Sequence, residues 1–290
     1  MPRLASLLVL ACWAAMPAAA QFPFALGGAS LDQGLDVAAT PAGGVVVVGE
    51  FRGEVDFDPG PGAHVLTASG QRSGFVAQYT AAGALDWAFA LGAEGVDQAH
   101  GVMVDGAGNA YVVGTFRHTV DFDPGPGEHP VTSHGLSDAF LASYTAGGAL
   151  RWAFALGGAD YDQGHAVALA PPDAVCATGS FRETVDFDPG PETTSYTSAG
   201  SYSIWVACYG RDDGALRWAY GTGGPGHFDR GWAIAADSAG VYLTGDFTGV
   251  TQFDPAGEAA PLTSLGPNDL FVAAYTHAGA YRWARRAGST

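Results

Sequence analysis

The sequence predicts an all-β chain and, within that class, a β-propeller of four blades. Three observations predict it. Trp87, Trp152, Trp218 and Trp283 are 65, 66 and 65 residues apart, and Phe57, Phe122, Phe187 and Phe253 step by 65, 65 and 66. Self-similarity at a fixed period marks a repeat architecture, whose units bury their apolar faces against one another. Within each period, short runs of branched and aromatic residues alternate with polar ones and are broken by glycine, of which the chain has 43; this is the pattern of strands and tight turns. Finally, no stretch beyond the leader shows helical periodicity with caps.

The repeat units run roughly 22–86, 87–151, 152–217 and 218–282, with an extra terminal strand at 283–290. Each holds four main strands and a hairpin extension around the "DFDPG" stretch. The first strand reads "GLDVAAT", "HGVMVDG", "HAVALAP" or "GWAIAAD". In the second, Val47, Val112, Ala177 and Leu243, then Gly49, Gly114, Gly179 and Gly245, then Phe51, Phe116, Phe181 and Phe247 share one face. The other face carries Glu50, Thr115, Ser180 and Asp246. A glycine held inside a strand predicts close packing upon it. The third strand reads "FVAQYT" in the first unit, and the fourth, "ALDWAFALG", carries the Trp, expected in the core between blades. Phe22 stands one period before Trp87, so five Trp-type segments serve four blades. A closed ring needs one fewer, leaving a spare at Phe22–Gly28 or Ala280–Gly288. Closure is the expectation, because an open arc leaves unpaired edges; the chain is then a monomer, whereas an open arc would pair with a second chain.

Residues 1–20 read as a secretory signal: Arg3 supplies the charge, Leu4 to Met16 the apolar run and Ala18 to Ala20 the cleavage site. That run is too short to span a bilayer, and no later run is longer, so the remaining 21–290 is expected to be a soluble repeat domain, secreted or otherwise extracytoplasmic. Lipid attachment through Cys12 is disfavoured by the short leader. The net charge is −17 with no lysine, and removing Arg3 makes it more negative. Nucleic acid is excluded, since its binding requires basic groups on phosphates; insertion into a membrane is not expected. Cys176 and Cys208 could bridge in an oxidising compartment, but other repeats have no cysteine there, and two free, half-buried thiols are the expectation.

The run "VDGAGNAYVVGTF" joined to "GALRW" resembles the bacterial beta-propeller repeat family, the SBBP repeat, and the recurrent "VDFDPG" resembles a secreted, acidic branch of it. The likeness covers essentially all of 21–290. It implies a propeller and an exported bacterial protein, but no reaction, because the family offers no shared catalytic residues to carry over. Its name implies seven blades, from which this chain departs. The "GALRW" segment is also similar to the Trp-docking repeats of quinoprotein dehydrogenases, whose quinone site needs a larger ring; no cofactor motif accompanies it here.

Motif by motif, chemistry is sparse. The chain has no G-x-S-x-G elbow, H-E-x-x-H, C-x-x-C or phosphate-cradling loop. His100 and His165 are repeat-equivalent, but Leu35 and Trp232 take the same place in the other units, as at a packing or rim position. The aspartates are more regular. Asp56 with Asp58, Asp121 with Asp123, and Asp186 with Asp188 put paired carboxylates on one side of the chain, and Asp32, Asp97, Asp162 and Asp229 recur upstream. Such pairs could contribute to the about six to eight oxygens of a Ca²⁺ site, the only cofactor the sequence suggests. The structural reading is preferred: Asp58-Pro59-Gly60 starts a type II turn, Phe57 points into the core, and Pro59 ends the strand. In the fourth copy the first Asp becomes Gln252, while Arg52, Arg117 and Arg182 give way to Thr248. That joint loss predicts an Arg–Asp pair across the turn.

The functional expectation is an exported, non-enzymatic binding or cell-surface scaffold module with a protein or polysaccharide ligand. The alternatives are a propeller enzyme, carbohydrate-active or quinoprotein-like, and a purely structural spacer in a surface layer.

Overall fold

A computed structural model describes residues 25–225 and 228–288. The signal segment, Cys12, Phe22 and the last two residues lie outside the described residues. The first repeat forms β1 (Gln33–Ala39), β2 (Val45–Phe51), β3 (Glu54–Asp56), β4 (Val65–Thr67), β5 (Ser73–Tyr79) and β6 (Leu85–Leu91). The second forms β7 (Gln98–Val104), β8 (Ala110–Phe116), β9 (Thr119–Asp121), β10 (Pro130–Thr132), β11 (Asp138–Tyr144) and β12 (Leu150–Leu156). The third forms β13 (Gln163–Ala170), β14 (Ala174–Phe181), β15 (Thr184–Asp186), β16 (Ser195–Thr197), β17 (Ser203–Gly210) and β18 (Leu216–Thr222). The fourth forms β19 (Arg230–Ala236), β20 (Val241–Phe247), β21 (Val250–Thr251), β22 (Leu262–Thr263), β23 (Asp269–Tyr275) and β24 (Tyr281–Ala287).

Each repeat gives one antiparallel four-stranded sheet, ordered as β1-β2-β5-β6 is, plus a two-stranded hairpin inserted between its second and third strands. These are four blades, as the periodicity predicts. The Trp strand closes the sheet that precedes it, so the first sheet spans Gln33–Leu91. Among the described residues, no helix is long and apolar enough to cross a membrane.

The repeated phenylalanines occupy the centre of each blade. Phe116 and Phe122 meet edge-on at 5.5 Å, Phe140 lies 5.1 Å from Phe122, and all three are buried. Each such ring stabilises the fold by about 1.5–3 kcal/mol through burial. The Phe of "DFDPG" is also anchored through its backbone: Tyr79, Tyr144, Tyr209 and Tyr275 donate their hydroxyls to the carbonyls of Phe57, Phe122, Phe187 and Phe253. The insert is thereby tied to the third strand of its own blade.

The tryptophans pack against the core between blades, and their indoles add a directed contact there. They are half-buried and join blade to blade: Trp87, Trp152 and Trp218 donate their indole N–H to the carbonyls of Ala146, Arg211 and His277 in the next sheet's turn, at 3.0, 3.1 and 2.9 Å. Gly148, at φ 80°, brings that turn against the Trp87 ring, which a Cβ there would meet at 2.9 Å. An indole has an apolar body and one donor, so it suits a junction with a single carbonyl to satisfy.

The sheets pack in series, β1 and β2 against β7, β7 and β8 against β13, and β13 and β14 against β19. Closure of the ring is not shown. Among the described residues no such packing joins the fourth sheet to the first, and Val37, Leu270 and Val272 on the surfaces that would meet are exposed. Leu26, from the Phe22–Gly28 segment, packs on the first sheet beside Phe51 and Phe57.

The cysteines also correct the expectation. Cys176 and Cys208 are direct cross-strand neighbours in β14 and β17, their Cα atoms 4.0 Å apart, and form a disulfide. Both are buried. Spacing could not show this, because a separation of 32 residues is brought face to face only by strand register.

Candidate functional site

The first strand of every blade carries a β-bulge, at Gly34/Asp36, Ala99/Gly101, Gly164/Ala166 and Gly231/Ala233. The residue skipped by the register is Leu35, His100, His165 or Trp232. The internal glycine of the second strand makes this possible: a Cβ on Gly49, Gly114, Gly179 or Gly245 would lie 1.9, 2.0, 1.8 or 1.8 Å from the carbonyl oxygen of Gln33, Gln98, Gln163 or Arg230 just before the bulge. Bulges re-aim side chains, and here they aim one per blade at a common hollow of about 330 Å³, lined by Leu35, His100, Gln163, His165 and Trp232. Sequence reasoning set these positions aside because they vary. The available signal was a variable residue recurring near the invariant strand glycine.

The hollow is ordered. His165 stacks on Trp232 with centroids 4.6 Å apart and lies 6.1 Å from His100. The Nδ1–H of His100 donates to the Gly164 carbonyl at 2.7 Å, and that of His165 to the Gly231 carbonyl at 2.8 Å. Burial holds both imidazoles below the ordinary histidine range, His165 down to about 4, so both are neutral at pH 7. With the proton on Nδ1, each Nε2 is a lone-pair acceptor. The Gln163 side-chain amide lies 3.4 Å from His165 Nε2 and must turn its N–H toward it. Beside the hollow, the Arg230 guanidinium lies 5.4 Å from the Trp232 ring and 5.1 Å from Phe228, and the Trp232 indole donates to the Asp246 carboxylate. The site thus offers an exposed indole, one open acceptor in His100 Nε2, and the Gln163 amide, whose second N–H is left to donate.

The recurrent aspartates hold backbone instead. Asp97 accepts the amides of Ala93 and Arg117 at 3.0 and 2.8 Å, and Asp162 those of Gly158 and Arg182 at 2.7 and 2.9 Å. Asp32 and Asp229 do the same in their blades. Each pins the linker between sheets to the end of the second strand. Burial pushes Asp97 up to about 6 and Asp162 to about 7 against the opposing pull of these hydrogen bonds.

In the "DFDPG" loops, Asp56, Asp121 and Asp186 each accept two amides, such as Asp58 N–H at 3.0 Å and His64 N–H at 2.8 Å for Asp56. These bonds hold Asp56 below the ordinary carboxylate range. Gln252 accepts the equivalent Asp254 amide at 2.9 Å, so the change from Asp to Gln preserves the loop. Asp58, Asp123 and Asp188 accept the amide two residues on, Gly60, Gly125 or Gly190, each at 2.8 Å. This is an Asx turn. It replaces the expected type II turn, because none of these three glycines has positive φ; the fourth copy therefore tolerates Ala256, whose amide donates to Asp254.

The expected Arg–Asp pair is also corrected. Arg117 and Arg182 have other partners: Arg182 reaches Asp160 at 3.0 Å and stacks over Tyr202, and Arg117 stacks over Tyr161. Backbone amides satisfy the aspartates without them. Among the described residues no group of three or more His, Cys, Asp or Glu side chains is placed to hold a metal.

A larger groove of about 760 Å³ runs between the second and third sheets, with His134, Asp186 and Asp188 among its lining residues. His134 Nδ1 lies 2.7 Å from Asp138. Asp138 takes the place of Ser73, Ser203 and Asp269, and all four accept the amide four residues earlier. That shared duty makes Asp138 part of the loop's structure. No protein-family model matches the chain, and no curated protein matches it.

Proposed function

We propose that the chain is an exported bacterial β-propeller repeat protein of the SBBP kind, acting as a binding module whose ligand sits in the axial hollow. One observation carries this reading: the blades keep their phenylalanines, tyrosines, turn aspartates and strand glycine, yet place Leu35, His100, His165 and Trp232 on the one shared site. Diversity aimed inward from a constant frame is what binding specificity requires and packing does not. The disulfide supports an oxidising, extracytoplasmic setting. The ligand class that fits is a neutral polysaccharide. A sugar ring can lie on the exposed Trp232 indole, while its hydroxyls donate to His100 Nε2 and accept from the second N–H of Gln163. The net charge of −17 disfavours anionic glycans.

A glycan array probed with the processed chain tests this. Binding to neutral glycans is expected, falling about tenfold or more in Trp232→Ala and in the double variant His100→Ala/His165→Ala. Binding that survives both variants would place the ligand elsewhere. A panel with no ligand would remove the reading.

A further inference from the structure

Three junctions between sheets are built alike, and the two terminal faces expose what those junctions bury. Facing the next sheet, Val76, Leu141 and Val206 are 0, 0 and 1% exposed; the equivalent Val272 of the fourth sheet is 37% exposed. Leu270 is 47% exposed where Ala139 and Ile204 are 0%. On the receiving side Val102 and Val167 are 1 and 6% exposed, whereas Val37 at the same position in the first sheet is 58% exposed. The Trp contact follows the same division. Trp87, Trp152 and Trp218 each donate to the next sheet's turn, while the Trp283 N–H has no partner among the described residues. The matching turn of the first sheet, Thr80 to Ala84, keeps the positive-φ Gly83 that corresponds to Gly148, Gly214 and Gly279 at the Trp contacts.

The exposed rear of the fourth sheet and the exposed front of the first are therefore the two halves of an interface this molecule already forms three times. We propose that a second copy of the chain brings them together. The first sheet of one protomer docks on the fourth sheet of the other in the internal junction geometry, and the reciprocal contact closes a two-copy ring. Heterologous contacts form rings when the rotation closes, and closure satisfies both faces at once. Leu26 already fills the outer corner of the front face, so the contact runs through the inner half: Val37 and Leu35 against Leu270, Val272 and Trp232. It places Leu35 of one copy beside Trp232 of the other, as His165 stands beside Trp232 within one chain. The axial hollow is completed by this assembly, but the assembly does not depend on what the hollow binds.

Sedimentation of the processed chain, with variants of both faces, tests the proposal. The wild type should sediment as a dimer at micromolar concentration. Leu270→Glu and Val37→Glu should each be monomeric, or weakened about tenfold or more, with unchanged circular dichroism because both positions are exposed. An equimolar mixture of the two variants should regain a dimer through one junction, since each retains the half that the other lacks. Leu270→Ser and Val37→Ser provide the same comparison if the charged variants lose their fold. A wild type that stays monomeric to about 100 μM, far above typical specific affinities, overturns the proposal. So does a dimer that only one of the two variants breaks, because that is the mark of like faces pairing.

Discussion

The blade interior and the axial strands are built from the same repeats but behave oppositely. In the interior, Phe116, Phe122 and Phe140 interlock, and equivalent rings recur in the other blades, with Trp205 replacing one of them. At the axis, bulges present Leu, His, His and Trp to one hollow. The difference separates two duties of a repeat. Interior positions must satisfy a neighbour that is itself repeated, so they stay aromatic, as Trp205 does in the place of Phe75, Phe140 and Phe271. Axial positions meet open space, so each blade can carry its own chemistry.

The largest effect that would sharpen this contrast is in stability. Phe122→Ala should cost about 3–5 kcal/mol in denaturant unfolding, as expected for an emptied aromatic core site, whereas Trp232→Ala should stay within about 0.5 kcal/mol. Equal losses would mean that the axis is packing and the contrast false. A smaller effect compares two tryptophans in chains held monomeric by Leu270→Glu. Trp152→Phe removes a bonded N–H and should cost about 1 kcal/mol more than Trp283→Phe, whose N–H has no partner among the described residues. Indistinguishable melting of the two would deny the inter-blade role of the indole.

The smallest effect at neutral pH concerns His100 and His165. Their folded-state values lie below the ordinary 6.5, His165 near 4, so the native state disfavours their protonation. Their contribution is complete above about pH 6.5 and is lost as pH falls toward 4. Asp97 and Asp162 act in reverse: with folded values near 6 and 7 against an ordinary 3.8, they favour the native state on acidification over that range. The histidine part is isolated by difference. The unfolding free energy of His100→Gln/His165→Gln minus that of wild type should rise as pH drops from 6.5 to 4. Parallel curves would show that the imidazoles are not held neutral by the fold.

Much of this architecture was legible in the chain. The Trp and Phe periods placed the blades, the alternation placed the strands, and Gly49 with its equivalents announced a close approach. Phe57 was expected in the core and is there. Other readings failed where an outcome depended on partners distant in sequence. The loss of Arg and Asp together in the fourth copy suggested a pair, but the aspartate oxygens face amides across an eight-residue loop and Arg182 faces Asp160. The cysteines looked like isolated drift until register set β14 beside β17. The bulge residues looked like filler because their shared destination is visible only when the four blades stand side by side along one hollow.

By itself, then, the sequence determined the class, the repeat, the core rings and the turn residues, because these follow from local periodicity and from side chains that answer to their own unit. The tertiary structure alone decided the disulfide and the aim of the axial side chains. Those depend on register, on bulges and on the relative placement of whole sheets, where a shift of one residue exchanges the inward and outward faces of a strand.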